Sequence, residues 1–391
     1  MAWKHSGKTT AFDYIGLDAE TAQAYGIVCD TISLKTARIF ITQQALAMLA
    51  NLNHFDQRKV VKEIAHVCNN PNSCSSIKHS KLPFKRLWRS KDQFQSYHYL
   101  IDYKIAANGR VVIHDIYFDE DVTGAKTRHS RERNMLYKIN RIPGAKNFNG
   151  AWDSDDLDES KAAWGRPDPT PQVKTLHAAV NGMQNSLRKA AWLMGTHLDV
   201  AYPEDDFKTY TLFHNPTDRM FYDVVECVFD KRQGTKSQNA QHLAAILQQT
   251  QQKGQKTKWV VHSQGAIIFS AALEEYRKSY TGALTCHRVA VHSPGAWLPR
   301  LKQAATALGV TVVNERSNPF DIVPNLAGTN DLSPSSLARS LKFMGLTFLG
   351  SETTSPHTLP FLGLESYHAQ LRFAGNHRRA NDVLKYIEKH T

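Results

Sequence analysis

One short segment of the sequence has the residue types and spacing of a nucleophilic serine. The apolar run 259–261 leads into His262-Ser263-Gln264-Gly265, and an apolar helical pattern follows. A strand that turns sharply into a helix exposes a serine at the apex, where its Oγ can attack a carbonyl carbon. We predict that Ser263 is this nucleophile and that the backbone N–H of Gln264 stabilises the oxyanion. Val261 departs from the usual pattern G-x-S-x-G, which has a glycine two residues before the serine.

An acid and a base follow in the order expected when the serine comes first. Asp321 lies in Asn318-Pro319-Phe320-Asp321-Ile322-Val323-Pro324, at the tip of a loop after a strand-like run. A carboxylate there can hold a histidine in the tautomer that accepts the serine proton. Two histidines compete as the base: His357 lies in a loop between prolines, and His368 lies in a helical pattern. We favour His357, because a catalytic imidazole normally comes from a loop over the strand ends, and we keep His368 as the alternative.

A second His-Ser pair follows another strand-like run, in Val291-His292-Ser293-Pro294-Gly295. Proline has no backbone N–H, so a nucleophile at Ser293 would lack the oxyanion donor that should follow it. We therefore expect Ser293 to have a structural role at a strand end near the site.

Alternating elements predict the sheet that positions these residues. Short β-rich runs alternate with helical patterns of 10–15 residues, which is typical of a doubly wound, mostly parallel sheet. The predicted strands are 207–213, 222–229, 258–262, 288–291 and 310–314, and the predicted helices are 176–193, 237–251, 265–276 and 298–308. In such a sheet the site lies at the carboxyl ends of the strands. The turn after the first of these strands holds Asn215, which we expect to give the second oxyanion N–H.

Charge blocks and breaker residues divide the chain. Helical patterns at 34–52 and 55–67 precede two alternating runs around Asn108-Gly109, which predict a hairpin. A basic block, an acidic patch and a Gly/Pro run follow, as in an exposed connection. We expect an accessory α+β domain at 1–122, a charged linker at 123–172 and a catalytic domain at 173–391. The predicted fold class is α/β, with a doubly wound, mostly parallel sheet and a smaller N-terminal α+β domain.

The chain of 391 residues has a formal net charge of +12, which favours an anionic partner such as nucleic acid or an acidic membrane surface. A dense basic block lies ahead of the predicted catalytic domain rather than inside it, and this favours a membrane. Five cysteines without a C-x-x-C pair favour neither a zinc site nor a disulfide framework, and we expect no cofactor. The N-terminus has no apolar segment of the signal-peptide type, so we expect synthesis in the cytoplasm without such a peptide.

Together these motifs resemble α/β-hydrolases of the bacterial lipase and phospholipase effector type, which are toxins delivered by contact-dependent secretion. The resemblance covers about residues 175–391. It depends on the segments 262–265 and 318–324 and on His357-Thr358-Leu359. It implies a triad of Ser263, His357 and Asp321 that acts on phospholipids or other lipid esters at a membrane surface. It also implies release by a specialised secretion system and a partner such as an immunity or chaperone protein.

We therefore predict a serine hydrolase that cleaves acyl esters of lipids through an acyl-enzyme. One alternative is a nucleic-acid-binding or toxin-like protein that works through its basic N-terminal half, although nucleic acid is the less favoured partner. Another is a serine esterase that acts on soluble substrates. Apolar residues between 331 and 354 form either a lid that opens at a lipid interface or a core helix, and we favour the core helix.

Overall fold

The chain divides into two compact units. The computed structural model describes residues 14–29, 31–52, 54–71, 86–89, 99–106, 109–118, 136–148, 156–170, 172–182, 185–215 and 238–390. The first unit comprises residues 1–136 and 168–172, and the second comprises residues 137–167 and 173–391. Most of what the sequence assigned to a linker therefore belongs to the second unit. The predicted strand 222–229 lies outside the described residues.

The first unit contains a small mixed sheet with helices. Its elements are β1 (Tyr14–Gly16), α1 (Ala19–Ala24), α2 (Thr31–Thr36), β2 (Phe40–Thr42), α3 (Gln43–Asn51), α4 (His54–Asn69), β3 (Arg86–Arg89), β4 (Tyr99–Ile105) and β5 (Val111–Phe118). The strand order is β1-β2-β5-β4-β3, in which the β2–β5 pairing is parallel and the others are antiparallel. Leu46, Val61 and Ile113 are fully buried and belong to the core of this unit.

Two sequence predictions for this unit have different outcomes. The hairpin around Asn108-Gly109 is confirmed, because β4 and β5 pair antiparallel and Gly109 has a φ of 79°, which glycine adopts without strain. The single helix over 34–52 is wrong, because β2 interrupts it. Ile41 is completely buried and pairs with β5. Thr42 then caps α3, where its Oγ1 accepts a hydrogen bond from a backbone N–H at 3.2 Å.

The second unit is built on a mainly parallel sheet. The elements that follow along the chain are β6 (Leu136–Asn140), α5 (Asp156–Ala162), β7 (Asp168–Thr170), β8 (His177–Val180), α6 (Leu187–Ala201), β9 (Thr209–Phe213), α7 (Gln238–Gln252), β10 (Thr257–His262), α8 (Gln264–Ser279), β11 (His287–His292), α9 (Leu298–Ala307), β12 (Thr311–Arg316), a π-helical turn (Val323–Ala327), α10 (Pro334–Lys342), α11 (Met344–Leu349), α12 (Leu364–Phe373) and α13 (His377–His390). Of these, β7 falls within residues 168–172, which belong to the first unit. Six strands have the order β12-β11-β10-β8-β9-β6, and the pairings from β12 to β9 are parallel. This mixed α/β architecture agrees with the predicted fold class.

Helices cover both faces of this sheet. Along β10, Trp259 and His262 point to opposite faces, because successive side chains of a strand alternate. Trp259 packs on Phe269 of α8, whereas His262 packs on His197 of α6. The chain continues from β8 to β9 on one side and later places β10 on the other side of β8. The carboxyl ends of β8 and β10 therefore flank the crevice where such sheets bind ligands.

The sequence prediction of one helix over 176–193 is wrong. The segment contains β8 and then the beginning of α6, which is capped by Ser186. Ala178 and Ala179 favour a helix in isolation. All four residues of β8 are buried, and the strand pairs with β9 and β10 on its two sides. Central strands of parallel sheets are buried on both faces, and the apolar run Ala178 to Val180 therefore lacks the alternation that would have distinguished a strand from a helix. The strands predicted at 207–213, 258–262, 288–291 and 310–314 are confirmed as β9 to β12.

The predicted linker holds a strand and a buried charge. Arg141 follows β6, is 6% exposed and forms an ion pair with Asp199 of α6. Its guanidinium also lies 4.1 Å from the ring centroid of Trp164 and donates to the carbonyl of Lys146 at 3.0 Å. Burial raises the pKa of the Asp199 carboxyl, and the neighbouring guanidinium opposes this shift. At least one residue of the basic block therefore belongs to the interior of the second unit.

The apolar segment after the predicted acid forms the two short helices α10 and α11. Phe343 lies between them and is completely buried against Phe320. Leu341, Met344 and Leu349 point outward and are 52%, 44% and 79% exposed. The segment contributes to the core, as expected, and also presents an apolar surface. Within the described ranges, the chain has no helix with the length and apolar character needed to cross a membrane.

We expect Arg141→Met to destabilise the second unit by about 3–5 kcal/mol, because Asp199 would be left buried without its partner charge. The loss should shrink as the pH falls through the raised pKa of Asp199, because protonation then removes the unpaired charge. Urea unfolding at neutral pH and at about pH 5 measures both effects. Lys208→Met removes an exposed ion pair with Asp206 and, as the control, should leave the stability nearly unchanged. An equal loss at both pH values would contradict this explanation.

Candidate active site

The backbone turns sharply at Ser263, directly after β10. Ser263 has a φ of 56° and a ψ of −124°, a conformation that residues with a side chain rarely adopt. Its N–H donates to the carbonyl of His292 at 3.2 Å, and its carbonyl accepts from the N–H groups of Ala266 and Gly295 at 3.1 and 3.0 Å. The hydroxyl makes no capping hydrogen bond to α8. This is the strained strand-to-helix turn that presents a nucleophile.

Two glycines provide the space for this turn. A Cβ at Gly265 would lie 2.3 Å from the carbonyl oxygen of Val180 in β8. A Cβ at Gly182 would lie 2.6 Å from the Cβ of Ser263. Gly182 follows β8, the strand beside β10, whereas Val261 occupies the position where the usual motif has a glycine and is fully buried. The close approach is therefore made by a glycine of the neighbouring strand end, which explains how the turn tolerates Val261.

An Asp–His pair lies in the chain after β12. His357 Nδ1 is 2.7 Å from Asp321 Oδ2, and Asp321 is completely buried. The other carboxylate oxygen accepts from the N–H of Val323 at 3.0 Å. Ser355 Oγ accepts from the N–H of His357 at 3.3 Å. Because a carboxylate can only accept, His357 carries its hydrogen on Nδ1, and its Nε2 has the lone pair that a general base needs.

His262 connects this pair to the turn. It precedes Ser263 in the chain, and its ring centroid lies 4.7 Å from that of His357. Its Nε2 lies 2.9 Å from the carbonyl oxygen of His357. Among the described residues, no hydrogen bond joins Ser263 Oγ to His357 Nε2. Such a bond often tightens only when substrate binds. In its absence, His262 links the residue before the serine to the loop that bears the base.

Two further buried histidines extend this contact into a row of rings. His197 of α6 lies with its ring centroid 4.7 Å from that of His262 and 4.9 Å from that of His292 at the end of β11. Burial holds the pKa values of His197 and His262 well below their ordinary range, and it lowers the pKa of His292 to about 4. These three rings are therefore neutral at pH 7. The part of the chain that the structure describes contains no cluster of His, Cys, Asp or Glu arranged to hold a metal ion.

The assignment of Asn215 as the second oxyanion donor is contradicted. Its backbone N–H donates to Asn181 Oδ1 at 2.9 Å and is therefore not available to a substrate oxygen. Its side-chain Nδ2 donates to Gln264 Oε1 at 2.7 Å. Since β8 lies between β9 and β10 in the sheet, Asn181 at the end of β8 meets the turn after β9. Asn215 thus supports the side chain of Gln264 and does not face the reacting atoms with its amide.

The other residues predicted for the site are Gln264, His357, His368 and Ser293, and the structure shows where each of them lies. Gln264 is the first residue of α8, so its backbone amide is among those at the helix N-terminus. The imidazole bonded to Asp321 is that of His357, whereas His368 lies half-buried in α12. Ser293 is completely buried, has a φ of 41°, and its Oγ has no hydrogen-bond partner within the described chain. The structure therefore brings Ser263 and the Asp321–His357 pair to one edge of the sheet.

Sequence reasoning missed Gly182 and the buried histidines. Asn181-Gly182 after three apolar residues is a turn signal at the end of a strand, but the helical interpretation of 176–193 concealed it. The sequence around His197, His262 and His292 does not indicate that these side chains belong to the site. Nothing in their spacing shows that rings from α6, β10 and β11 meet, because that contact depends on the order of the strands.

Comparison with known proteins gives no family for this chain. No protein-family model matches the sequence, and no curated protein matches it either. The function must therefore be argued from the geometry of the site.

We expect Gly182→Ala to slow the reaction of Ser263 with a fluorophosphonate probe by roughly 100-fold. The added methyl would lie 2.6 Å from the Cβ of Ser263 and 3.1 Å from its Oγ, so the serine or the end of β8 must move. Labelling rates followed by mass spectrometry measure the effect. Gly345→Ala in α11 is the matched control, because no atom lies within 4 Å of its added methyl. Equal labelling of both variants would show that Gly182 does not set the position of Ser263.

Proposed function

We propose that this protein is a serine hydrolase with an α/β-hydrolase-like fold that cleaves acyl esters of lipids, as a lipase or phospholipase does. The observation that carries the proposal is the backbone of Ser263, with its φ of 56° and ψ of −124° at a strand-to-helix turn. A serine that only caps a helix does not need this conformation, whose cost is of the order of 1–3 kcal/mol. Asp321 and His357 then supply the acid and the base in the chain order serine, aspartate, histidine.

The proposed reaction begins when His357 Nε2 takes the hydroxyl proton of Ser263 while Oγ bonds to the ester carbonyl carbon. The carbonyl electron pair moves to the oxygen, which the backbone amide of Gln264 and the positive end of α8 stabilise. His357 gives its proton to the departing alcohol, and Asp321 stabilises the imidazolium in between. Water, deprotonated by the same imidazole, then attacks the acyl-enzyme; the acyl–Oγ bond breaks, the imidazolium returns the proton to Ser263 Oγ, and the acid is released.

A second oxyanion donor is expected from the chain that follows β8. Gly182 borders Ser263 closely, whereas the amide of Asn215 is already bonded. Asn181 and Asn185 both donate to the carbonyl of Gly182, at 2.8 and 3.4 Å, and hold this strand end in place. A fixed strand end beside the serine is the kind of position from which a backbone amide can act without reorganisation.

Two features favour a lipid over a soluble ester. Leu341, Met344 and Leu349 are exposed on α10 and α11, between the acid and the base along the chain. Apolar side chains in such a position suit contact with a lipid interface. The net charge of +12 attracts an anionic surface over about a Debye length, ~8 Å at physiological salt. Anionic phospholipid is therefore the favoured substrate surface, while delivery as an effector and an immunity or chaperone partner remain predictions.

We expect Ser263→Ala to lower the hydrolysis of mixed phospholipid vesicles at least about 1000-fold, because no other group replaces the nucleophile. Asp321→Asn should lower kcat by a similar factor, because an amide does not hold His357 in the required tautomer. Product analysis gives the rate and shows which ester bond is cut. Ser293→Ala is the matched control, since Ser293 follows the same strand–turn pattern one strand away. Full activity of Ser263→Ala, or a fluorophosphonate that labels Ser293 instead, would refute the assignment.

We expect the joint replacement of Leu341, Met344 and Leu349 by serine to lower vesicle hydrolysis roughly tenfold, because less apolar surface enters the lipid. Turnover of a short-chain soluble ester should stay within about twofold, because these residues lie outside the catalytic triad. The ratio of the two rates, together with vesicle cosedimentation, measures the effect. An equal loss on both substrates would mean that these side chains support the fold rather than the lipid contact.

A further inference from the structure

We infer that His262 is a positioning residue for the base: its Nε2–H holds the backbone carbonyl of His357 and thereby fixes that imidazole beside Ser263. The inference rests on the proposed function, because it assigns His262 a part in the same site. His262 touches neither the proposed substrate nor the serine proton. Its effect passes through the loop that bears His357.

The direction of the hydrogen bond follows from its acceptor. A carbonyl oxygen can only accept, so the Nε2 of His262, 2.9 Å from the oxygen of His357, must carry the hydrogen. In a neutral imidazole the other nitrogen, Nδ1, then has a lone pair. Burial and the neighbouring His357 both disfavour the charged ring and keep the pKa of His262 well below its ordinary value. The bond is therefore made by one defined neutral tautomer.

An apolar side chain could fill this position at lower cost. His262 is 3% exposed, and its Nδ1 is buried without a hydrogen-bond partner within the described residues. A buried polar atom left unpaired costs of the order of 1–3 kcal/mol relative to an apolar group of the same shape. What the imidazole adds over a methionine is the donor to His357, so the useful property of this residue is that bond.

The location of His262 makes this bond effective. The residue ends β10 and is covalently joined to Ser263, so the carbonyl of the base is tied to the chain that bears the nucleophile. The adjacent carbonyl, that of Thr358, lies 3.1 Å from Nε2 of His197. Two consecutive carbonyls of the loop therefore face buried imidazoles. No direct Ser263–His357 hydrogen bond is present among the described residues, so contacts to this loop, of which that of His262 is the one attached to the serine, hold the base near the nucleophile before substrate binds.

Three variants of His262 test the role of the donor. His262→Met removes the donor. His262→Asn has an amide whose shorter side chain does not reach the carbonyl oxygen of His357. His262→Gln places an amide N–H at about the position of the imidazole Nε2. The matched control is His287→Met, which removes a completely buried imidazole from the amino end of β11. Each variant is measured in the full chain for kcat and KM on p-nitrophenyl butyrate, and for its urea midpoint.

We expect kcat to fall roughly 10- to 100-fold in His262→Met and His262→Asn, with KM within about twofold, because misplacement of a reacting group acts on the chemical step. His262→Gln should recover kcat to within about threefold of wild type. His287→Met should lower the urea midpoint but keep kcat. Three results would overturn the inference: wild-type kcat in His262→Met and His262→Asn, a His262→Gln variant as slow as His262→Met, or an equal loss of kcat in His287→Met.

A spectroscopic measurement separates this inference from the proposed function. The hydrogen shared by His357 Nδ1 and Asp321 should give a far-downfield proton resonance in the wild-type protein. We expect this resonance to be lost or broadened in His262→Met and kept in His262→Gln. If the wild-type chain hydrolyses no ester and Ser263 is not labelled, the proposed function fails. The resonance still decides whether His262 positions His357, and an unchanged signal in all variants would refute that role.

Discussion

The backbone conformation of Ser263 is the constraint on which the rest of the site depends. A strained residue of this kind persists only where its surroundings fix it. Here the N–H and the carbonyl of Ser263 are bonded to residues at the end of β11 and in α8, and the space for its side chain is left by Gly182 at the end of β8. Three adjacent parallel strands, β8, β10 and β11, thus fix the backbone conformation of this one residue. The order of the strands is therefore as important to the site as the motif itself.

The interior around this residue is polar but contains little charge. Burial keeps His197, His262 and His292 neutral. A neutral imidazole offers one donor and one acceptor, so each ring can join a hydrogen-bond network without placing a charge in a low-dielectric region. This has a consequence for the proposed reaction. If one of these rings were protonated, it would repel the imidazolium that forms on His357; because they remain neutral, the proton from Ser263 is stabilised by Asp321 without an opposing charge nearby.

The features of the site that could be predicted from the sequence are those formed by residues that are neighbours along the chain. The turn at Ser263 was predictable because strand, serine, glycine and helix follow one another directly. Asp321 and His357 were predictable from their order and from the loops that hold them. The role given to Asn215 was wrong because it depends on which strand borders β10, and no local pattern contains that information. Similarly, β8 was taken for part of a helix, because an apolar central strand shows no alternation.

The hydrogen bond between the Nδ1 atoms of His197 and His292, 2.7 Å long, leaves each ring with one outer nitrogen. Those nitrogens face two oxygen acceptors, the Thr358 carbonyl at 3.1 Å and Asn314 Oδ1 at 3.2 Å. The amide of Asn314 is oriented by its own donation to a backbone carbonyl at 3.0 Å, so it cannot turn its nitrogen toward His292 without losing that bond. Three hydrogen bonds need three hydrogens, and two neutral imidazoles carry two. While the bond between the two rings is kept, the neutral pair can therefore bond either the loop that bears His357 or strand β12, and the position of the hydrogen between the two buried rings decides which.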